Sequence, residues 1–548
     1  MAARPGLDRP VAGDPRGAGE LPPLAARRGA RMSGGDRLAA VERARAALQD
    51  ASRGEALARQ RGRGKLTARE RIAGLLDPGS FRETGGFALA EAEGAGPPPQ
   101  PADGVVTGTG RIEGRAVAVL AQDFSVAGGS IGRIGTAKTV HAVETAIARG
   151  LPLVMLLDGG GHRIQDGQDA RSFAHASPLI RTLARASGWV PLVALMLGPG
   201  FAAPTNFAGF SDLVVMVRGL STMGMAGPAL VKAATGEALD QEALGGAALQ
   251  AGAQGLADLA VETEAEALAL ARRFLGYLPA NARAAPPHAP CDDPAERREE
   301  ALLTLVPEDR RKGFDVREAI AGIADRGSVL ELKPRHAANM VTALARLDGR
   351  PVGILANQSL RLGGIIDAAA AEKGARFIAF CDAYGLPLVS LIDVPGFLIG
   401  SAAERSRLGR RSAKLPFEWA HATVPRISVV LRKGYGLGYI AMAGGRSMEA
   451  DAAFAWPSAE ICAMSIEGSV DIAHRREVEA APDPAAHRQA LIEGIRARTG
   501  ALRAAEGFGL DDVIDPRDTR ARIIEVLRQC ETRRHGGLPP KKRAIPPI

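Results

Sequence analysis

Apolar residues in this chain gather into short continuous runs of strand length. The clearest span 116–121, 153–157 and 192–197, and again 352–356, 388–392 and 427–431. Runs of this length, bounded by glycine and proline, read as strands buried on both faces. Between them, 136–149 and 367–384 carry apolar residues at helical spacing, and a further long helix is expected between the second and third strand of each set. Upstream, Asp36–Ala51 has helical spacing, and Thr67-Ala-Arg-Glu70 is a capping box in which Thr67 and Glu70 satisfy each other's free amides. Asp77-Pro-Gly79 stops that second helix. Gly94–Ala102 reads as a loop rich in glycine and proline. Alternating strands and helices predict a parallel sheet with helices on its faces, and ligands bind at the carboxyl ends of such strands.

The two sets are copies. Gly114-Arg-Ala-Val-Ala-Val119 recurs as Gly349-Arg-Pro-Val-Gly-Ile354, Gly128-Gly129 as Gly363-Gly364, Lys138 as Lys373 and Asp158 as Asp393, always 235 residues on. Val190-Pro191 recurs as Val424-Pro425, one residue short of that register. A constant offset over so many matches indicates one fold written twice. The expected organisation is a disordered N-terminal arm over 1–35, an N-terminal unit over 36–285, a linker over 286–300 holding Pro286, Pro287 and Pro294, a C-terminal unit over 301–535 and a tail over 536–548.

Composition narrows the function classes. The net charge is +8, yet basic residues are interleaved with acids and aromatics are scarce, which argues against nucleic acid. No stretch of about 18 uncharged apolar residues suggests a membrane span. Cys291, Cys381, Cys462 and Cys530 form no C-x-x-C pair, so no metal is expected, and isolated thiols fit a reducing, cytoplasmic setting. The Arg-, Gly-, Pro- and Ala-rich opening residues lack the apolar core of a signal peptide, although their arginines fit a transit peptide and Met32 could be the true start.

Chemistry is expected in four glycine-bearing loops: Asp158-Gly-Gly-Gly-His162, Gly198-Pro-Gly-Phe-Ala-Ala-Pro204, Asp393-Val-Pro-Gly-Phe397 and Gly434-Tyr-Gly-Leu-Gly438. Such loops expose backbone N–H groups at helix starts, where they serve phosphates or oxyanions. Tight turns alone would also explain any one of them; equivalents in both copies favour paired anion sites. The chain has no P-loop, no G-x-S-x-G elbow and no H-E-x-x-H. Chemistry resting on backbone amides is the reading that remains.

At this point the motifs carry a family resemblance. Gly64-Lys-Leu-Thr-Ala-Arg-Glu-Arg71, Gly160-Gly-His-Arg-Ile-Gln-Asp-Gly167, Ala226-Gly-Pro-Ala-Leu-Val-Lys232, Asp393-Val-Pro-Gly-Phe-Leu398, Arg432-Lys-Gly-Tyr-Gly436 and Trp456-Pro-Ser-Ala-Glu-Ile461 resemble the carboxyltransferase (β) subunits of biotin-dependent acyl-CoA carboxylases, of the propionyl-CoA/methylcrotonyl-CoA carboxylase β type. The resemblance covers about 36–548. It implies an α/β fold of tandem duplicated crotonase-like (ClpP/crotonase) ββα-superhelix domains. It also implies transfer of CO2 from carboxybiotin on a partner carrier to the α-carbon of an acyl-CoA, with no metal. Expected partners are a biotin carboxylase and biotin carboxyl carrier, and further copies of this chain as dimer pairs building to a hexamer.

Carried over residue by residue, the N-half oxyanion donors fall on the amides of Ala202 and Ala203, and the C-half donors on Leu437 and Gly438, with Gly436 beside them. The acyl-CoA pocket maps to Gly160, Gly161, Arg163, Ile164, Gln165 and Ile440, and the biotin pocket to Val394, Pro395, Gly396, Phe397 and Tyr435. The family commonly has Gly-Gly at Ala202-Ala203, Gly-Ala at Leu437-Gly438, His at Arg411 and Asp at Ile440 in propionyl-specific members. Two alternatives stay open. One is the carboxyltransferase of a biotin-dependent acyl-CoA decarboxylase; the other, motivated by Ala202, Ala203 and Leu437, is a non-catalytic subunit pairing with an active paralogue.

Overall fold

The computed structural model describes residues 33–89, 102–164, 168, 170, 178–530 and 543–547. Residues 1–32 of the expected arm over 1–35 and most of the loop 94–102 lie outside the described residues; 33–35 are not disordered but cap and open the helix Gly34–Ala47, where Ser33 Oγ accepts from Asp36 N. The strands in chain order are β1 (Arg82–Thr84), β2 (Val105–Ile112), β3 (Arg115–Gln122), β4 (Leu153–Leu157), β5 (Leu192–Met196), β6 (Pro199–Phe201), β7 (Leu213–Val217), β8 (Thr222–Gly224) and β9 (Leu259–Val261) in the first half. In the second half they are β10 (Leu330–Leu332), β11 (Met340–Leu347), β12 (Arg350–Asn357), β13 (Leu388–Val394), β14 (Arg426–Tyr435), β15 (Ala452–Ala455), β16 (Glu460–Cys462) and β17 (Asp512–Val513).

One sheet runs β1-β2-β3-β4-β5-β7-β9 and the other β10-β11-β12-β13-β14-β15-β17, with β16 on β14. The order repeats, but the sheets are mixed rather than parallel. Each opens with an antiparallel hairpin, β2–β3 or β11–β12. The cause is local: Glu113-Gly114 and Asp348-Gly349 all have positive φ, the two-residue hairpin turn that matches strand twist. The duplication reaches backbone strain, since Ala102 and Ala337, and Ala127 and Leu362, also pair 235 apart at positive φ.

The long helix expected before the third strand of the second copy is instead three short ones, Ser401–Arg405, Leu408–Ser412 and Lys414–His421. Arg407 at φ 61° separates the first from the second, because positive φ cannot continue a right-handed helix. In the first half the described part is the helix Leu179–Ala186. The helices 133–149 and 368–384 and the capping box at Thr67 follow the sequence reading.

Buried lysines tie each sheet to its crossover helix. Lys138 donates to the carbonyls of Ala102 (3.1 Å) and Val105, and Lys373, its counterpart, to those of Lys333 (2.8 Å), His336 (2.9 Å) and Met340 (2.6 Å). Burial lowers their pKa values, to about 8 for Lys138 and about 7 for Lys373.

The halves share one apolar core. Phe274 of the first stacks on Phe380 of the second with centroids 5.8 Å apart. Beside them the Tyr384 hydroxyl reaches Val190 O and Asp212 Oδ2, each at 2.8 Å. Residues 543–547 cross this seam. Arg543 pairs with Asp382 (2.5 Å) and Glu418, while the backbone of buried Ile545 bonds both ways with Ser187 Oγ, at 3.0 and 3.1 Å.

Candidate active site

The four loops come together as two equivalent constellations. At the end of β4, Asp158 N donates to Gln122 Oε1 (2.9 Å), and Gln122 Nε2 to Gly129 O (3.3 Å). At the end of β13, Asp393 N and Asn357 make the same pair of contacts, Asn357 Nδ2 reaching Gly364 O at 3.3 Å. Gly129 and Gly364 sit where a Cβ would collide with the Asp158 and Asp393 carbonyls, which is why the Gly-Gly pairs recur. Isolated bridges Ile131–His162 and Ile366–Phe397 then fix the next residues identically.

Both aspartates are fully buried and spent on structure. Asp158 accepts from Lys65 (2.5 Å), Arg71 (2.7 Å) and Gln60 (3.1 Å), and Arg71 also holds Glu264 at 2.7 Å. Asp393 is held by Arg432 at 2.7 Å. Neither carboxylate reaches solvent.

Phe201 and Tyr435 end equivalent segments: β6 pairs β8 as β14 pairs β16. The chain then turns into the helices Ala203–Phe210 and Gly436–Ala441. The turn residues are Ala202 at φ 65° and Gly436 at φ 55°. This corrects one expectation. The Ala202 amide donates to Gly224 O at 2.8 Å, completing the β6–β8 pairing, so it is not free to hold an oxyanion. Ala203, first in its helix, has no intrahelical acceptor for its N–H. A Cβ on Gly161 would stand 3.4 Å from that nitrogen, so the bare Gly161 leaves the amide accessible. In the C-half Leu437 is exposed, and a Cβ on Gly438 would lie 2.9 Å from Gly396 Cα. The two strand-end loops of each half therefore face one another.

Of the other expected site residues, Val394 is buried in β13 and faces Gly438, whereas Pro395 and Phe397 are half-buried around Gly396. Tyr435 is buried, and its hydroxyl, pushed up to about 12 by burial, donates to Glu460 at 2.9 Å. Gly160 is open, Ile164 and Ile440 are exposed, and Gln165 lies outside the described residues. Arg163 pairs with buried Asp103 at 2.7 Å, bracing the loop. Gln122, Asn357, Asp103 and Glu460 shape the site without having been assigned a role from sequence; the 235-residue offset marks the first two. A cleft of about 1200 Å³ between the halves runs from Thr205, Gly224 and Met225 to Arg410, Arg411 and Lys414. Among the described residues no cluster of His, Cys, Asp and Glu could hold a metal, and no helix is long and apolar enough to cross a membrane.

The carboxyl transferase domain model matches residues 59–545. The chain belongs to this family, as a carboxyltransferase β subunit of the acyl-CoA carboxylase class, and is an enzyme of carboxyl transfer. It is 40% identical over 480 residues to the propionyl-CoA carboxylase carboxyltransferase subunit of Haloferax mediterranei, covering 86% of this chain and 92% of that one. It is also 40% identical over 481 residues to the methylmalonyl-CoA carboxyltransferase 12S subunit of Propionibacterium freudenreichii subsp. shermanii, covering 86% and 90%. The methylmalonyl-CoA decarboxylase α subunit of Veillonella parvula is 36% identical, with 87% and 92% covered. Among solved structures, the transcarboxylase 12S hexamer with methylmalonyl-coenzyme A bound superposes with a TM-score of 0.88 at 38% identity, over 94% of this chain and 99% of that one.

Proposed function

We propose that the N-half loop at Ala203 holds the thioester oxygen of an acyl-CoA, and that the C-half loop at Leu437 and Gly438 holds the ureido oxygen of biotin presented by a partner carrier. The observation that carries this is the duplicated, solvent-facing amide turn, with Ala203 and Leu437 each following a residue at positive φ. Carboxybiotin on that carrier would supply the carboxyl group and leave as biotin. The protein's work is to place and stabilise. The Ala203 N–H favours the enolate form of the thioester over its ground state, and one such donor accounts for about 2.7–4 kcal/mol of barrier. The Leu437 and Gly438 N–H groups do the same for the carrier side. Gly161 keeps the approach to the Ala203 amide clear.

The two sites complete each other across a pair of chains. Ile164 and Ile399, 235 residues apart, are 74% and 88% exposed beside the two loops. Equivalent apolar tips on both halves suit a two-fold dimer in which one chain's N-half meets its partner's C-half. The test is decarboxylation of a malonyl-type CoA with free biotin by the purified protein. Gly436→Pro, which cannot adopt the φ of 55°, is expected to cost about a hundredfold in turnover. Parent-level turnover in that variant would remove the C-half assignment. An inactive parent would favour the non-catalytic subunit.

A further inference from the structure

Tyr435 is the last residue of β14 and directly precedes the helix that carries the Leu437 and Gly438 amides. Its hydroxyl is anchored on Glu460, the first residue of β16. The Glu460 carboxylate is buried, yet it is reached by two cations from distant parts of the chain. Arg310 makes a close ion pair with it, and Arg496 Nε stands 3.4 Å away. Four residues from β14, β16, the segment after the linker and the helix Pro484–Arg496 thus converge behind one amide turn.

The first half shows what the fold requires. There β6 and β8 pair in the same register, Pro199 opposite Thr222 as Lys433 stands opposite Glu460. Phe201 replaces Tyr435, and Thr222 replaces Glu460. The Thr222 hydroxyl is buried with no hydrogen-bond partner among the described residues. The same backbone turn therefore forms without a tyrosine, a carboxylate or an arginine pair. Burying a carboxylate is unfavourable unless it is well paired, and an apolar replacement is often neutral for stability. The tether belongs to what the second half does.

We infer that Glu460 is a positioning residue of the biotin-side turn. It fixes the Tyr435 ring and, through it, the direction of the Leu437 and Gly438 N–H groups, with Arg310 and Arg496 holding the carboxylate in place. This rests on the reading of the C-half loop as the biotin side. The N-half turn has no such charged tether; there the Thr205 hydroxyl meets the Gly200 and Gly224 carbonyls at 2.8 and 2.9 Å.

The test uses the full-length protein in decarboxylation of methylmalonyl-CoA with free biotin, both concentrations varied. Glu460→Ala and Tyr435→Phe are expected to cut turnover and raise KM for biotin, together about tenfold or more, and to leave KM for the acyl-CoA within about twofold. Glu460→Gln, which still accepts from Tyr435, should recover most of the loss, and Thr222→Val at the equivalent N-half position should leave the biotin KM unchanged. If Glu460→Ala matches the parent while Gly436→Pro is inactive, the positioning role falls and the biotin-side hole stands. If both match the parent, the hole itself falls. A shift in the acyl-CoA KM alone would mean that the C-half is not the biotin side. Equal losses for both substrates with a lowered unfolding temperature would reduce Glu460 to a structural residue.

Discussion

Ala202 and Gly436 occupy the same turn in the two halves, at φ 65° and φ 55°, although only one of them is a glycine. At φ 65° and ψ −119°, Ala202 sits in a region that costs an L side chain about 1–3 kcal/mol. Ala202→Gly should therefore raise the unfolding free energy by about 1 kcal/mol net of glycine's greater freedom when unfolded, read as a higher denaturant midpoint. Ala203→Gly should bring no such gain, because Ala203 is already helical. Equilibrium unfolding of the two variants side by side checks this.

Gly161 guards access to the Ala203 amide, with a Cβ position 3.3 Å from Ala202 Cβ and 3.4 Å from Ala203 N. Gly161→Val should fold normally and lose about a hundredfold in turnover, the scale of one blocked donor. Steady-state kinetics with circular dichroism on the same sample would show it. Unchanged turnover would take Ala203 out of the reaction.

Arg71 is fully buried and serves both Asp158 and Glu264. Arg71→Met leaves two buried carboxylates with Lys65 as the nearby cation. The expected loss is about 3–5 kcal/mol, the cost of breaking a buried pair from one side. Urea unfolding measures it, and a loss below about 1 kcal/mol would contradict this account.

Stability should rise with pH above neutrality. Lys373 is held near pKa 7 by burial in the folded protein, from a usual 10.5. Between those values the unfolded chain binds the extra proton and the folded one does not, so raising the pH favours the folded state. The slope should be on the order of 1 kcal/mol per pH unit, present from about pH 7 to 10. In Lys373→Met the protein is weaker throughout, because carbonyls lose their donor, but the slope should flatten. A full slope in the variant would point to another group, with Lys138 the next to examine.

The sequence made the duplication legible because apolar runs and glycine pairs survive at a fixed offset: strands 153–157 and 388–394, and the glycines beneath Asp158 and Asp393, lie where the pattern puts them. The hairpins were less visible. Glu113-Gly114 and Asp348-Gly349 are turn signals, but β2 has glycine and threonine, and β11 threonine and arginine, among their apolar residues, so neither announces itself as a run. The break in the long helix of the second half leaves no mark in the sequence pattern, because it depends on a backbone angle at Arg407 that arginine seldom adopts. At the site, motif positions located the turns but not the hydrogen bonds. That Ala202 N is used by Gly224 follows from a strand pairing of three residues, too short for any periodicity to reveal.

The hydrogen bonds between Ser187 and Ile545 join residues 358 apart in the chain. During synthesis the first half, complete through β9, emerges long before the segment that covers Ser187 and Gly188. For the time needed to make the second half, at roughly 5–20 residues per second, that surface has no cover. Residues 543–547 arrive after both sheets and pair Arg543 with Asp382 and Glu418 of the second half. The strap thus acts as a latch between the halves, since its contacts need Ser187 of the first and Asp382 and Glu418 of the second in place together.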